Sequence, residues 1–201
     1  MANGVQAEVA IVFHSGYGHT RVQAEAVRQG IDDVEGVTAH FIPVEEVDDK
    51  FELLETVDGI IFGAPTYMGS ASAPFKEFMD KSSKVWFEQK WKDKLAAGFT
   101  NSGSQSGDKL STLNQFAIFA AQHGMNWINL GLMPGNNSSK GSPEDLNRIG
   151  GYIGAMAQSD VDVGADVAPP LADRKTAQHL GKRVAESALR WKAGASAVKA
   201  D

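Results

Sequence analysis

The sequence predicts an α/β fold in which a doubly wound five-stranded parallel sheet carries helices on both faces. Apolar runs of strand length alternate with amphipathic helical patterns along the whole chain. Several of these runs are almost continuously apolar, which is typical of parallel strands buried on both faces. Ligands in such folds bind outside the carboxyl ends of the strands, near the point where the strand order reverses. A functional site is therefore expected in the loops that follow the strands.

Each strand and helix has its own local signal. The strands are predicted at residues 9–13, 36–43, 57–62, 95–100 and 125–130. Helical patterns begin near Thr20, near Pro74, at about Lys109 and after Pro170. A further segment, residues 132–168, is rich in glycine, asparagine, serine and aspartate and has no firm period. Loops of that length are uncommon in a compact domain unless they bind a ligand or pack against a partner.

Two of the helices carry stripes that predict their buried faces. The helix from Lys109 is expected to end near His123, with Gly124 following it in the left-handed conformation. Its inward residues are predicted to be Leu110, Leu113, Ala117 and Ala121. The terminal helix is expected to begin with Asp173 as its N-cap. Its apolar stripe consists of Ala177, Leu180, Val184, Ala188 and Trp191.

Composition restricts the class of protein. A chain of 201 residues suits one domain, residues 1–201, with a frayed tail at about 194–201. A net charge of −6 argues against a nucleic-acid partner, which requires clustered positive charge. The absence of cysteine excludes disulfides and thiol catalysis. No segment reads as a signal peptide or a membrane span, so we expect a cytoplasmic protein that is not inserted in a membrane.

The loop after the first strand has the composition of a phosphate-binding turn. Glycine, serine, histidine and threonine, but no lysine, separate the strand that ends at Phe13 from the helix that follows. Backbone N–H groups, hydroxyls and the positive end of the helix dipole can together bind a phosphate group. An ordinary βα turn with glycines explains this stretch equally well on its own.

Two more loops of similar character follow the third and fourth strands. Residues 63–70 place an aromatic and a methionine between glycines, which could cover a planar ligand. Residues 101–107 are almost entirely small and polar. Because carboxyl ends of parallel strands meet at one edge of the sheet, the three loops are expected to converge there. That convergence favours a ligand site over three unrelated turns.

In this order, the three loops resemble those of the flavodoxin-like FMN proteins, and among them the WrbA-type NAD(P)H:quinone oxidoreductases. The resemblance covers most of the chain and implies a flavodoxin-like sheet and FMN as cofactor. The first loop is similar to the family's phosphate loop and comprises Ser15, Gly16, Tyr17, Gly18, His19 and Thr20. The second is similar to its isoalloxazine loop and includes Pro65, Thr66, Tyr67, Met68 and Gly69. The third is similar to its last flavin loop and comprises Asn101, Ser102, Gly103, Ser104, Gln105 and Ser106.

The resemblance also implies residues outside these loops. Gln122 and His123, followed by glycine and methionine, are similar to the family's His-His-Gly-Met and are expected near the flavin. Trp86 is similar to the tryptophan that walls the nicotinamide and quinone pocket, to which Tyr17 would also contribute. Trp86 as an ordinary packing residue is the alternative. A histidine at a helix end, such as His123, is about as often a C-terminal cap as a ligand.

Three positions depart from the family pattern. Tyr67 stands where the family has arginine, and Met68 stands where it has a bulky aromatic residue. The loss of that cation leaves the preference for NADH or NADPH open. Gln122 stands where the family has the first histidine of its pair. Glutamine offers only neutral hydrogen bonds, so we predict a lower flavin reduction potential than in relatives with two histidines.

The function implied is an FMN-dependent oxidoreductase that passes two electrons from NAD(P)H to a quinone or similar acceptor by a ping-pong mechanism. No catalytic acid or base and no metal are expected, because the flavin N5 carries the chemistry. A flavodoxin-type one-electron carrier and a flavin-free flavodoxin-like regulatory or interaction module remain alternatives. The resemblance further implies a homodimer or homotetramer, with Leu132–Ala168 as the candidate packing surface. The acidic run from Glu45 to Asp49 and the aspartates at 160, 162 and 166 are expected to face water.

Overall fold

The computed structural model describes residues 4–198 and is built around a seven-stranded sheet. Its strands are β1 (Ala7–Phe13), β2 (Val37–Pro43), β3 (Gly59–Tyr67), β4 (Ser70–Ala71), β5 (Leu95–Ser102), β6 (Asn126–Trp127) and β7 (Ala155–Gln158). The main path runs β2-β1-β3-β5-β6, and all pairings except β3 with β4 are parallel. The strand order reverses between β1 and β3, so the predicted doubly wound, flavodoxin-like class is confirmed.

The fifth position of the sheet differs from the prediction, because two short strands share it. β6 pairs with Leu95 and Ala96 at the start of β5, whereas β7 pairs with residues 99–102 at its end. Since β3 occupies the other edge of β5, β6 and β7 lie end to end along one edge. The predicted strand at 125–130 is therefore confined to two residues. Residues 128–154 leave the sheet and return to it, which no local pattern indicated.

The helices cover both faces of the sheet, as predicted. They are α1 (His19–Asp32), α2 (Phe51–Thr56), α3 (Ala73–Lys81), α4 (Ser83–Phe87), α5 (Lys109–Gln122) and α6 (Leu171–Val198). The pair α1 and α6 packs on one face, and α2 to α5 pack on the other. The acidic run lies in a 3-10 helix, Val44–Lys50, with its carboxylates exposed as expected.

The buried face of α5 is rotated relative to the prediction. Its buried residues are Lys109, Thr112, Leu113, Phe116, Phe119 and Ala120, whereas Leu110 is exposed. Phe116 and Phe119 join an aromatic cluster with Phe62 and so determine which side of the helix faces inward. Leu110 and Ala121 were predicted to face inward but are exposed, because the leucine and alanine positions alone do not determine which side of this helix is buried.

The terminal helix also departs from expectation at both ends. α6 begins at Leu171, so Asp173 lies inside its first turn and is not the N-cap. Asp173 is instead buried in a bidentate ion pair with Arg148. Residues 194–198 of the predicted frayed tail are helical, and 199–201 lie outside the described residues. Trp191 is half exposed rather than buried. Within residues 4–198, no helix combines the length and apolar character needed to cross a membrane.

Candidate functional site

A cavity of about 590 Å³ lies at the carboxyl edge of the sheet, where the three predicted loops meet. Its size falls in the usual range for small-molecule sites, roughly 300–1,000 Å³. Nine of its lining residues belong to the predicted loops: Tyr17, His19, Thr20, Pro65, Thr66, Tyr67, Asn101, Ser102 and Gly103. Three more come from the segment after β7: Ser159, Val161 and Val163. The predicted convergence of the loops is thus present in the fold.

The first loop brings the N-terminus of α1 to the cavity. The Ser15 hydroxyl oxygen accepts a hydrogen bond from the Arg21 N–H at 3.0 Å, as an N-terminal capping side chain does. Gly18 precedes the helix with φ of 90°, a backbone conformation that favours glycine. His19 and Thr20, the first residues of α1, line the cavity. The positive end of the helix dipole therefore faces the space in which an anionic group would bind.

The second segment is more regular than the predicted loop. β3 runs through Tyr67 and turns back into β4 across Met68 and Gly69, both of which have positive φ. Two such residues in succession define the tight turn that suits a two-residue hairpin. The Thr66 hydroxyl shares hydrogen bonds of 2.8 Å with the hydroxyls of Thr100 and Thr112 beneath the cavity. These bonds join β3 to β5 and α5, and Met68 in the turn is fully exposed.

Two tyrosines meet at the mouth of the cavity. The rings of Tyr17 and Tyr67 lie edge to face, with centroids 6.2 Å apart. The Tyr67 hydroxyl lies against the first loop, because a Cβ added at Gly16 would be 2.8 Å from it. Burial, with a smaller contribution from Tyr17, raises the pKa of Tyr67 above its usual value. Tyr67 therefore remains a neutral hydroxyl donor at physiological pH.

The third loop contributes only its first half to this cavity. The Asn101 side-chain oxygen accepts a hydrogen bond of 3.1 Å from the Ser159 hydroxyl, which fixes Asn101 at the cavity wall. Gln105 and Ser106 line a second, shallower hollow of about 890 Å³ on the outer side of α5. Ser104 lines neither space. The loop thus forms a rim between the two hollows.

The sequence interpretation missed the segment after β7, which crosses both glycine loops. The Val163 carbonyl accepts a hydrogen bond of 3.0 Å from the His19 ring. Ala165 lies so close to Gly18, and Val161 so close to Gly103, that a Cβ at either glycine would be within 3 Å. Val163 and Ala165 are partly buried, whereas Val161, Val167 and, as expected, the aspartates at 160, 162 and 166 are exposed. The alternation of valine or alanine with aspartate in this stretch is not matched by burial, so it gave no usable signal for the segment.

The structure does not bring Trp86, Gln122 or His123 to the cavity. α3 runs from the loop edge to the opposite edge of the sheet, where α4 carries Trp86 with half of its surface exposed. α5 likewise ends at that opposite edge, beside the start of β5. Trp86 and Tyr17 therefore do not form one pocket within a single chain.

The His123 imidazole is buried in the core, which corrects the expectation that it binds the cofactor. Its ring is 2% exposed and packs on the Trp91 ring at 4.5 Å and the Phe119 ring at 4.8 Å. The ring Nε2 is hydrogen-bonded to the Ser82 hydroxyl at 2.9 Å. Burial lowers the pKa of His123 to about 4.

This lowered pKa predicts an acid-sensitive fold. The unfolded chain binds a proton on this ring near pH 6.5 and the folded chain only near pH 4, so stability falls as the pH drops through that interval. We expect a loss of roughly 3 kcal/mol from this group when the pH is below both values. His123→Phe keeps an aromatic ring and removes the proton. Urea unfolding at pH 7 and pH 4.5 should give a smaller pH dependence for the variant, and equal dependences would contradict the prediction.

The electrostatic character of the cavity suits a flavin mononucleotide. None of its twelve lining residues is a lysine, arginine, aspartate or glutamate. A phosphate group would be met by hydroxyls, backbone N–H groups and the α1 dipole, and no carboxylate of the lining would repel it. The neutral amides, hydroxyls and tyrosines of the remaining wall match a flat heteroaromatic ring. Fold and site together define a flavodoxin-like protein with a flavin-nucleotide site.

Comparison with known proteins agrees with this class. Residues 19–137 match the family described as NADPH-dependent FMN reductase. Flavodoxin FldP of Pseudomonas aeruginosa is 40% identical over 89% of this chain and 95% of its own length. An NAD(P)H dehydrogenase (quinone) of Archaeoglobus fulgidus is 32% identical over 90% of this chain and 97% of its own. The crystal structure of a flavodoxin, WrbA-like protein from Agrobacterium tumefaciens matches with a TM-score of 0.73 and 39% identity, covering 92% of this chain and 99% of that one.

The chain therefore belongs to the NADPH-dependent FMN reductase family and to its WrbA-like, flavodoxin-like members. The predicted resemblance is confirmed. The chain is an oxidoreductase, with FMN as the cofactor and NAD(P)H as the co-substrate that this membership entails.

A substitution in the first loop should separate cofactor binding from general stability. Gly18→Ala forces an L-residue to φ of 90° and places its Cβ 2.9 Å from that of Ala165. We expect the Kd for FMN to rise by at least about tenfold, because strain of roughly 1–2 kcal/mol falls on the phosphate loop itself. Gly150→Ala is the matched control, since it has φ of 81° and only an ordinary contact at 3.7 Å. Quenching of FMN fluorescence by the apoprotein measures both, and equal affinities would exclude this role of Gly18.

Proposed function

We propose that the protein is a quinone reductase that takes two electrons from NAD(P)H and passes them to a quinone or a similar flat acceptor by a ping-pong mechanism. The observation that carries this proposal is the set of residues that line the cavity. The α1 N-terminus, suited to a phosphate, and the tyrosine pair Tyr17 and Tyr67 border the same cavity. A single aromatic mouth suits two flat substrates that occupy one place in turn.

The chain's own residues act by binding and orienting. The first loop would hold the phosphate of FMN through Ser15, Gly16 and Gly18 and the start of α1. Thr66, Asn101 and Ser159, fixed by the hydrogen bonds described above, would line the flavin with neutral donors and acceptors. When bound, FMN supplies the redox chemistry at its N5 atom. The cavity lining contains no carboxylate, amine or thiol, and its one imidazole, His19, is hydrogen-bonded to the Val163 carbonyl; this chemistry needs no acid or base from the protein.

One anaerobic experiment tests the proposal. FMN-loaded protein should lose its flavin colour when NADH or NADPH is added, and regain it when a benzoquinone follows. Initial rates at several quinone concentrations should give parallel double-reciprocal lines, as a ping-pong mechanism requires. A flavin that neither nucleotide bleaches would contradict the proposal. The same titration distinguishes NADH from NADPH.

A flavodoxin-type electron carrier is the second candidate, and Tyr67 favours it. The cavity contains no lysine or arginine, so the phosphates of a dinucleotide would have no cationic partner among its lining residues. A carrier of this kind would receive electrons from a protein instead. A reductive titration should then resolve two separate one-electron potentials, whereas a two-electron reductase should give one step. A colourless protein that does not bind added FMN would exclude both candidates and leave the flavin-free module.

Assembly into a homodimer or homotetramer would complete the substrate pocket. Trp86 and its neighbour Phe87 are exposed at the edge of the sheet opposite Tyr17, so Trp86 could wall a pocket only in a neighbouring subunit. The same holds for Gln122, whose predicted effect on the flavin potential requires a second copy of the chain. Met133 and Tyr152 of the candidate packing segment are also exposed, whereas Met156 packs against the core.

The molar mass of the protein, measured by light scattering as it elutes from a sizing column, tests this assembly. Trp86→Ala should raise the KM for quinone and leave the Kd for FMN unchanged. A monomer with unchanged kinetics for Trp86→Ala would contradict the shared pocket.

A potentiometric comparison of the wild type with Gln122→His tests the predicted lower potential of the flavin. A cytoplasmic location stays a prediction.

A further inference from the structure

Lys109 is a buried cation beneath the third loop. It is the first residue of α5, and only 1% of its surface is exposed. Its ammonium group donates hydrogen bonds to the carbonyl oxygens of Ser104 at 2.6 Å and Gln105 at 3.2 Å. A buried charge is costly unless it is paired and hydrogen-bonded. A lysine with ordinary freedom would extend into water from the first turn of a helix, so this arrangement requires a reason.

The two hydrogen bonds determine how the third loop is oriented. In a trans peptide, the carbonyl of one residue points away from the N–H of the next. With the carbonyls of Ser104 and Gln105 turned towards Lys109, the N–H groups of Gln105 and Ser106 point away from it. The Ser102 hydroxyl donates a second hydrogen bond of 3.2 Å to the Ser104 oxygen, which strengthens the same arrangement. Both peptide groups are thereby held without help from a ligand.

A second connection holds the other end of the loop. The Asp173 carboxylate accepts a hydrogen bond from the Gln158 N–H at 2.9 Å, and the Gln158 side chain donates to the Gly103 carbonyl at 3.3 Å. Lys109 also interacts with these charges at longer range. Asp173 of α6 raises the pKa of Lys109, and Arg148 of the segment before β7 lowers it. The loop from Gly103 to Gln105 is therefore held at both ends from the buried side.

We propose that Lys109 is a positioning residue for the cofactor: its ammonium group keeps the third loop in one conformation before FMN binds. The inference rests on FMN as the cofactor, because the first half of this loop lines the cavity. Binding to a loop that is already ordered avoids the entropy cost of ordering it. The bound cofactor itself does not touch Lys109 in this proposal.

The test compares Lys109→Met with Lys175→Met, which changes an exposed lysine on α6. In the apoprotein, hydrogen exchange of the amides of residues 101–107 should become at least about tenfold faster in Lys109→Met. The Kd for FMN should rise by a similar factor, and Lys175→Met should change neither quantity. Unchanged loop exchange and unchanged Kd in Lys109→Met would overturn the proposal. If the wild type does not bind FMN, the assignment of the cofactor fails, whereas loop exchange still tests the role of Lys109.

Two further measurements separate this role from a purely structural one. Ser102→Ala removes only the second donor to Ser104, so it should accelerate loop exchange in the same direction by a smaller factor even if Lys109→Met does not fold. Burial lowers the pKa of Lys109 to about 8, so the ammonium loses its proton within an accessible range. The Kd for FMN should therefore rise between pH 7 and pH 9.5 in the wild type, whereas the Kd of Lys109→Met should not change over this range. Identical pH profiles would overturn the role of the charge.

Discussion

Asp173→Ala is expected to lower the free energy of unfolding by about 3 kcal/mol, one of the largest single losses in this chain. The carboxylate forms two hydrogen bonds of 2.8 Å with Arg148, and its side chain is only 1% exposed. It also accepts the Gln158 N–H. The substitution leaves a nearly buried guanidinium and a buried N–H group without their acceptor. Buried polar groups left without a partner account for most of the free energy lost when a buried pair is broken.

Urea denaturation measures this loss, and α6 offers a matched control. Glu186 forms an exposed pair with Arg190 on the same helix, and Glu186→Ala should cost well under about 1 kcal/mol. The double variant Arg148→Met with Asp173→Leu should recover much of the stability, since it removes both charges together. Equal losses for Asp173→Ala and Glu186→Ala would contradict the account. Because Asp173 also acts on Lys109, the single variant should weaken FMN binding as well.

The fold could be predicted because its signals are local. Continuous apolar runs mark β1, β3 and β5, and each is followed by a polar loop of small residues. Their convergence follows from the geometry of parallel sheets, which is why nine of the twelve cavity residues were expected. The second segment was predicted to be a loop, whereas most of it is β-strand. Residues 63–65 continue β3 because they pair with residues 99–101 of β5, and residues 66–67 pair with β4. Gly63 leaves room for the Phe99 ring, since a Cβ there would be 2.0 Å from it.

The rest of the site depends on tertiary relations that the sequence pattern does not contain. β7 is four residues long and pairs with β5 from a distance of more than 50 residues. No window of sequence indicates that the segment after it crosses the phosphate loop. Lys109 was overlooked because its neighbour Leu110 is the more apolar residue. The aromatic cluster around Phe62 nevertheless determines the phase of α5 and buries the lysine.

Gly181→Ala is expected to destabilise the fold by about 2 kcal/mol and to weaken FMN binding about tenfold, although alanine is the better helix former. The helices α1 and α6 cross at two glycines that face each other's backbone. A Cβ at Gly181 would be 2.0 Å from the Val27 carbonyl oxygen, and a Cβ at Gly30 would be 1.9 Å from that of Gln178. Backbone atoms cannot rotate away, so the helices must move apart. α1 begins at the cavity, so its displacement also shifts the N–H groups intended for the phosphate.

Gly194→Ala on the same helix separates packing from helix propensity. No atom lies within 4 Å of a Cβ added there, so this control should be neutral or stabilising by up to about 1 kcal/mol. Thermal or urea unfolding of both variants gives the packing cost as the difference between them. Fluorescence titration with FMN then tests whether the crossing of α1 and α6 controls the phosphate loop. A Gly181→Ala protein as stable as Gly194→Ala would contradict the close crossing. A destabilised variant with wild-type affinity would show that the start of α1 is held by the loops rather than by α6.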